Sequence, residues 1–149
     1  MSSTFNLQRL LEFAEQQSDK AAASLGTLNR EHTRQQEKFA LLVGYRTEYQ
    51  ERLRVAIAKG LDGARLRNFY DFLERLEEAI GQQQKIVNNS QARAAGGRQE
   101  WQTKQIKYKA FDVLSHRFHA ASQRRDAGRE QKAMDDFSAR RRRGPGTQR

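Results

Sequence analysis

Apolar residues recur every three or four positions along most of the chain, in two long runs separated by a short break. In the first run, eleven of the fifteen residues at the a and d sites of a heptad are apolar. A heptad pattern sustained over about seven repeats predicts a long helix that packs along one narrow seam against another helix. The fifteen sites are Leu7, Leu11, Ala14, Ser18, Ala21, Leu25, Leu28, His32, Gln35, Phe39, Leu42, Arg46, Tyr49, Leu53 and Ala56.

The second run carries the same heptad period, with an unbroken apolar row at a and a d row that weakens in the middle. Gly96 and Gly97 interrupt the helical pattern, and each costs about 1 kcal/mol relative to alanine, which predicts a soft spot or kink. From Phe111 the apolar row runs Phe111, Leu114, Phe118 and Ala121, which indicates a shift of phase. The a and d sites are Leu66, Phe69, Leu73, Leu76, Ile80, Gln83, Val87, Ser90, Ala94, Gly97, Trp101, Lys104, Tyr108 and Phe111.

The break between the runs reads Gly60-Leu61-Asp62-Gly63. Glycine favours the left-handed conformation that ends a helix, and Asp62 suits a turn or the N-cap of the next helix. A connection this short favours antiparallel neighbours, so residues whose numbers sum to about 122 are expected to lie opposite each other. We predict an all-α fold: a long two-helix antiparallel coiled-coil hairpin over residues 1–139, with the turn near 58–64.

Four polar residues occupy the seam of the first run: Ser18, His32, Gln35 and Arg46. Polar groups at a or d sites fix the register of a coiled coil at some cost in stability. The alternative is that a long, partly hydrated seam merely tolerates them.

The sequence has no phosphate loop, nucleophile elbow or Ser/His/Asp spacing that would indicate an enzyme, and its composition argues against a membrane span. The chain has no cysteine and only 36% hydrophobic residues, and no apolar run approaches the ~18 residues needed to cross a bilayer. The N-terminus lacks a secretory signal, so we expect a cytoplasmic protein. His116 and His119 lack a third ligand for a metal. We expect no catalytic residue, no metal, no cofactor and no small-molecule substrate.

Charge is concentrated in the last third of the chain. Residues 1–97 carry 14 Lys/Arg against 12 Asp/Glu, whereas residues 98–149 carry 14 against 6. The run Arg140, Arg141, Arg142 and Arg143 predicts a basic, disordered tail over residues 140–149. Nucleic acid, an anionic membrane surface and an acidic protein are all possible partners of such a region.

Apolar residues also occupy g sites, which normally carry charge in a two-stranded coil. An antiparallel hairpin places the g sites of its two helices on the same side, so these residues predict one exposed apolar stripe. Such a stripe is typical of a protein-docking site, unless the coil is locally wider and the residues thicken its core. The predicted stripe comprises Leu42, Tyr45, Tyr49, Phe72, Leu76 and Ala79.

Three segments carry a more specific pattern: 42–49 (LVGYRTEY), 69–80 (FYDFLERLEEAI) and 129–137 (REQKAMDDF). Together they resemble the flagellar export protein family FliJ. The Leu-x-x-Tyr-x-x-x-Tyr and Phe-x-x-x-Leu-x-x-Ala spacings are more specific than the heptads, and the resemblance covers nearly the whole chain.

The resemblance implies a component of the flagellar type III export apparatus of a motile bacterium. It implies an antiparallel coiled coil similar to the stalk of the rotary ATPase γ subunit. The implied partners are the export ATPase ring, the cytoplasmic domain of the export-gate membrane protein, and export chaperones. The implied location is the cytoplasm, at the inner face of the cell membrane at the flagellar base.

The resemblance also implies which residues bind the export gate. The family's gate-binding cluster falls on the six residues of the predicted stripe. Lys38 and Gln83 flank this cluster, at positions where the chain departs from the usual residues of the family. Two other interpretations remain open from the sequence: a basic coiled-coil protein associated with nucleic acid, and an ordinary coiled-coil dimeriser.

Overall fold

A computed structural model describes residues 2–144 and contains two helices, α1 (Ser2–Ala58) and α2 (Gly63–Arg142). The part of the chain that it describes has no strand. The two long helices pack against each other, which confirms the predicted all-α hairpin.

The turn between the helices has the chemistry that its sequence predicts. Gly60 adopts a φ of 88°, in the left-handed region that glycine enters without steric cost. The backbone N–H of Arg65 donates to Oδ1 of Asp62 at 2.8 Å, so Asp62 caps the first turn of α2. The turn therefore ends one helix and starts the next within a few residues.

The helices form two compact units. The turn unit is Ser18–Thr103, and the terminal unit combines Met1–Gln17 with Lys104–Arg149. In the turn unit, His32 Nδ1 lies 2.8 Å from Ser90 Oγ, a pair whose numbers sum to 122. In the terminal unit, residues 10–17 of α1 and residues 104–111 of α2 line one groove, as expected for segments that lie side by side in the same antiparallel arrangement. Each unit thus has the predicted antiparallel register.

Burial confirms the heptad assignment in both runs. Each a and d site from Leu7 to Ala56 and from Leu66 to Phe111 is buried or half-buried. The predicted change of phase is wrong, because Ser115 is buried while Leu114 is exposed. Since α2 is continuous there, the face that meets α1 keeps the period of seven, and Leu114 falls at a g site outside the seam.

The two adjacent glycines have different surroundings. A Cβ atom at Gly97 would lie 2.6 Å from Cδ1 of Leu28 and 3.6 Å from Cδ1 of Leu25. At Gly96 a Cβ atom would meet nothing within 4 Å. Helix α2 continues through both residues, so Gly97 has a packing role: its missing side chain leaves room for the leucines of α1.

Helix–helix packing ends earlier than predicted, and α2 ends later. Every residue from Gln123 to Gly144 is exposed, so the paired region stops near Ser122 and not at residue 139. The expected disorder from Arg140 is wrong for three residues, because Arg140, Arg141 and Arg142 form the last turn of α2. Arginine is a good helix former, and cations are favourable at a helix C-terminus. Residues 145–149 of the predicted tail lie outside the described residues.

The packing at Gly97 predicts opposite behaviour for two neighbouring alanine substitutions. Gly96→Ala gains helix propensity without a clash and should raise the free energy of unfolding by about 0.5–1 kcal/mol. Gly97→Ala gains the same propensity but forces Cδ1 of Leu28 to move aside, so it should be less stable than Gly96→Ala by up to about 1 kcal/mol. Urea denaturation followed by circular dichroism measures both values. Equal gains in the two variants would contradict the close approach at Gly97.

Candidate docking surface

Two exposed aromatic side chains dominate one flank of the turn unit. Tyr45 of α1 is 47% exposed and Phe72 of α2 is 45% exposed. Tyr49 is half-buried, with its ring centroid 4.3 Å from that of Phe72 and 5.1 Å from that of Phe69. These distances are typical of favourable aromatic pairs, so the three rings join the two helices and hold Phe72 in place.

The aromatic rings border a shallow depression with a charged rim. Tyr45, Glu48, Tyr49, Arg52 and Phe72 line it, and its volume is about 260 Å³. Arg52 Nη2 donates to Glu48 Oε1 at 3.0 Å along α1. Exposed aromatic side chains bordered by ionic groups are typical of protein–protein interfaces.

Two residues assigned to this surface from the sequence lie in the interior. Leu76 is only 8% exposed, so its prediction as an exposed member of the stripe is wrong. Gln83 is also buried, and its Nε2 donates to Gln35 at two atoms, the backbone O at 3.0 Å and Oε1 at 2.8 Å. Both residues occupy d sites of α2, and d sites face the seam. Lys38 is exposed.

The remaining members of the predicted stripe are intermediate in exposure between the surface rings and the buried residues. Leu42 and Ala79 are half-buried, like Tyr49, so part of the predicted stripe does thicken the core. Ile86 is not part of the predicted stripe, yet it is exposed and occupies the g site that follows Ala79 by one heptad. An apolar residue at this g site is the feature of the sequence that indicates its place on the surface. We call the surface residues and their half-buried neighbours the aromatic flank: Leu42, Tyr45, Tyr49, Phe72, Ala79 and Ile86.

Polar seam residues bind across the helix pair beneath and beside this flank. The hydroxyl of Ser90 donates to the backbone O of Val87 at 2.7 Å. Because that donation uses the only hydroxyl proton, His32 Nδ1–H is the donor in its 2.8 Å contact with Ser90 Oγ. Gln35 accepts from Gln83, as described above. These bonds connect defined residues of the two helices.

Charged groups extend this pattern of cross-helix pairing. Arg46 Nη1 donates to both carboxylate oxygens of Glu77, at 3.0 and 3.1 Å. Gln35 Nε2 donates to Oε1 of Glu31 at 2.8 Å, and this hydrogen bond is the main cause that lowers the pKa of the Glu31 carboxyl. Three of the four predicted polar seam residues thus bind the partner helix, which favours a role in register. Ser18 is buried.

Other candidate chemistry is sparse. Among residues 2–144, no group of three or more His, Cys, Asp or Glu side chains is placed to hold a metal ion. His116 Nδ1 contacts the backbone O of Asp112, one turn away in its own helix, at 2.8 Å. Neither helix of the described chain has a stretch that is long and apolar enough to cross a membrane. Arg140, Arg141 and Arg142 are exposed at the end of α2.

Comparison with known proteins agrees with the resemblance noted in the sequence. The sequence model of the family described as the flagellar FliJ protein matches residues 3–146. The flagellar FliJ proteins of Salmonella typhi and Escherichia coli strain K12 are each 28% identical over 134 residues, covering 90% of this chain and 91% of each relative. Because the match spans both helices and nearly the whole chain, this protein belongs to the FliJ family of flagellar export components.

Proposed function

We propose that the chain is a non-enzymatic adaptor of the bacterial flagellar type III export apparatus. It links the export ATPase ring, the cytoplasmic domain of the export-gate membrane protein, and the export chaperones. Membership of the FliJ family supports a role in the export apparatus. The exposure of Tyr45 and Phe72 on one flank supports docking to another protein. The proposal of a docking role rests mainly on the exposure of these two aromatic side chains.

The aromatic flank is the surface that meets the export gate. Tyrosine and phenylalanine supply large contact areas with few rotatable bonds, so little conformational entropy is lost when a partner covers them. Tyr49, which also packs on Phe69, already restricts the ring of Phe72 in the free protein, and this lowers the cost further. Leu76 and Gln83 act from the interior, where they hold α2 against α1.

The terminal unit is the part that meets the ATPase ring, as a stalk meets its ring in rotary ATPases. The exposed residues of α2 beyond Ser122 leave this stretch of helix free for a partner. Both partnerships place the protein in the cytoplasm, at the inner face of the membrane at the flagellar base. Its association with that membrane is then peripheral and passes through other proteins.

The exposed end of α2 is a poor match for nucleic acid. The carboxylates of Asp126, Glu130, Asp135 and Asp136 alternate with its arginines. A helix that tracks a phosphate backbone gains from a uniform basic face, and each of these carboxylates opposes phosphate contact. Mixed charge of this kind favours a protein partner.

Gate docking predicts a loss of affinity when either exposed ring is removed. Tyr45→Ala and Phe72→Ala should each weaken binding to the purified cytoplasmic domain of the gate by about tenfold or more, the usual effect of an aromatic hot spot. Biolayer interferometry gives the affinity, and circular dichroism checks that helicity is unchanged. Tyr70→Ala is the matched control, because Tyr70 is a tyrosine of similar exposure, 55% against 47% for Tyr45, at an e site on the other flank. Wild-type affinity in both flank variants would refute this assignment.

Because Leu76 lies in the interior, its substitution should affect the stability of the fold more than gate binding. Leu76→Ala should lower the free energy of unfolding by about 2–4 kcal/mol, because it leaves a cavity in the seam. Tyr45→Ala should change it by less than about 1 kcal/mol, since the side chain is half in solvent. Urea titration of the two variants tests this contrast. A Leu76→Ala protein with unchanged stability and weakened gate binding would instead make Leu76 a contact residue.

A further inference from the structure

The terminal unit, assigned above to the ATPase ring through the exposed helix beyond Ser122, also contains an apolar groove that has no assigned partner. Four residues of α1 and three of α2 line it, and its volume is about 220 Å³. Its floor is apolar and its ionic groups are lysines. The lining residues are Leu10, Phe13, Ala14, Gln17, Lys104, Lys107 and Phe111.

The groove results from the side chains that occupy the seam at this point. Ala14 is buried at a d site, where its single methyl group fills little of the space between the helices. Lys104 is half-buried at another d site. A lysine at such a site covers the seam with its stem and keeps its ammonium group in water. The seam is therefore underfilled between Ala14 and Lys104, and the space opens to one side.

Large apolar side chains surround this opening without a partner. Phe13 is 57% exposed, and Leu10 and Leu114 are each about half exposed. They occupy c and g sites, which lie on one flank of the helix pair and outside the a/d seam. Packing of α1 against α2 therefore does not explain them, and apolar side chains grouped in this way usually mark an interaction site.

Charge is segregated between the two flanks of the terminal unit. Over residues 3–17 and 104–118, the c and g sites carry Lys107 and Arg117 and no carboxylate. The carboxylates of the same segments belong to Glu12, Glu15 and Asp112, which occupy b and e sites on the other flank. The groove is consequently an apolar surface with a purely basic rim.

We propose that this groove binds an amphipathic, acidic helix of a protein partner. An apolar residue of that helix enters the space above Ala14, between Phe13 and Phe111. Its carboxylates pair with Lys104 and Lys107, which project from the opposite wall. An amphipathic helix presents apolar side chains three or four residues apart, and these side chains can enter a groove. A lipid bilayer is a flat surface and would leave the groove unfilled. The proposal is independent of gate docking, because it concerns other residues in another unit.

The test uses synthetic helical peptides and the full-length chain. The acidic probe is a fluorescent peptide of roughly 18 residues, five helical turns, with leucine at every third or fourth position and glutamate between them. A second peptide replaces each glutamate by lysine, and a third scrambles the leucine positions. Fluorescence anisotropy should show binding of the acidic amphipathic peptide alone, with an affinity that falls as salt rises.

Variants with matched controls locate the binding site. Phe13→Ser should weaken binding of the acidic peptide about tenfold, and Lys107→Glu about fivefold. Phe5→Ser and Lys109→Glu should change it less than about twofold, because both control residues are exposed at b sites on the other flank.

Three results would overturn the proposal. The first is no binding of the acidic peptide to the wild-type chain, or equal binding of the lysine peptide. The second is binding that Phe13→Ser leaves unchanged. The third is binding to vesicles of anionic phospholipid that Phe13→Ser and Lys107→Glu abolish, without binding to the peptide, which would assign the flank to a lipid surface.

Discussion

The surfaces of this protein depend on which residue of α1 lies opposite which residue of α2. A short turn capped by Asp62 reverses the chain, and cross-helix hydrogen bonds then select one register. A slip of one heptad would separate His32 from Ser90 and leave buried polar atoms without partners, which costs about 1–3 kcal/mol for each atom. The polar seam residues thus reduce the apolar surface that the seam buries, but they define the register of the two helices.

This register also decides which apolar residues remain outside. Leu76 enters the seam, while Phe72, four residues earlier, stays half in solvent. In the terminal unit the same rule buries Ala14 and leaves Phe13 exposed beside it. Small residues in the seam have two effects: Gly97 permits close approach of the leucines of α1, and Ala14 leaves a groove.

Much of this architecture is predictable from the sequence, because a heptad pattern specifies both the helices and the seam. The pattern correctly assigns each a and d site up to Phe111, and the glycines with Asp62 locate the turn. The sequence-based predictions are wrong where they follow the local residue types and not the heptad period, which continues through these positions. The apolar character of Leu114 predicts a seam position, although the buried residue is Ser115. Leu76 is predicted at the surface although it occupies a d site, and the arginine run near 140 predicts disorder where α2 continues. The groove is not predictable in this way, since an underfilled seam depends on side-chain volumes across both helices.

A cross-link between the helices tests this register most directly. The chain has no cysteine, so His32→Cys with Ser90→Cys introduces one defined pair where the native side-chain atoms are 2.8 Å apart. Mild oxidation should give a rapid intramolecular disulfide, seen as faster migration on a non-reducing gel. Leu25→Cys with Ser90→Cys, displaced by one heptad, should not cross-link at a comparable rate. Preferential cross-linking of the displaced pair, or disulfides only between molecules, would contradict the register from which both surfaces follow.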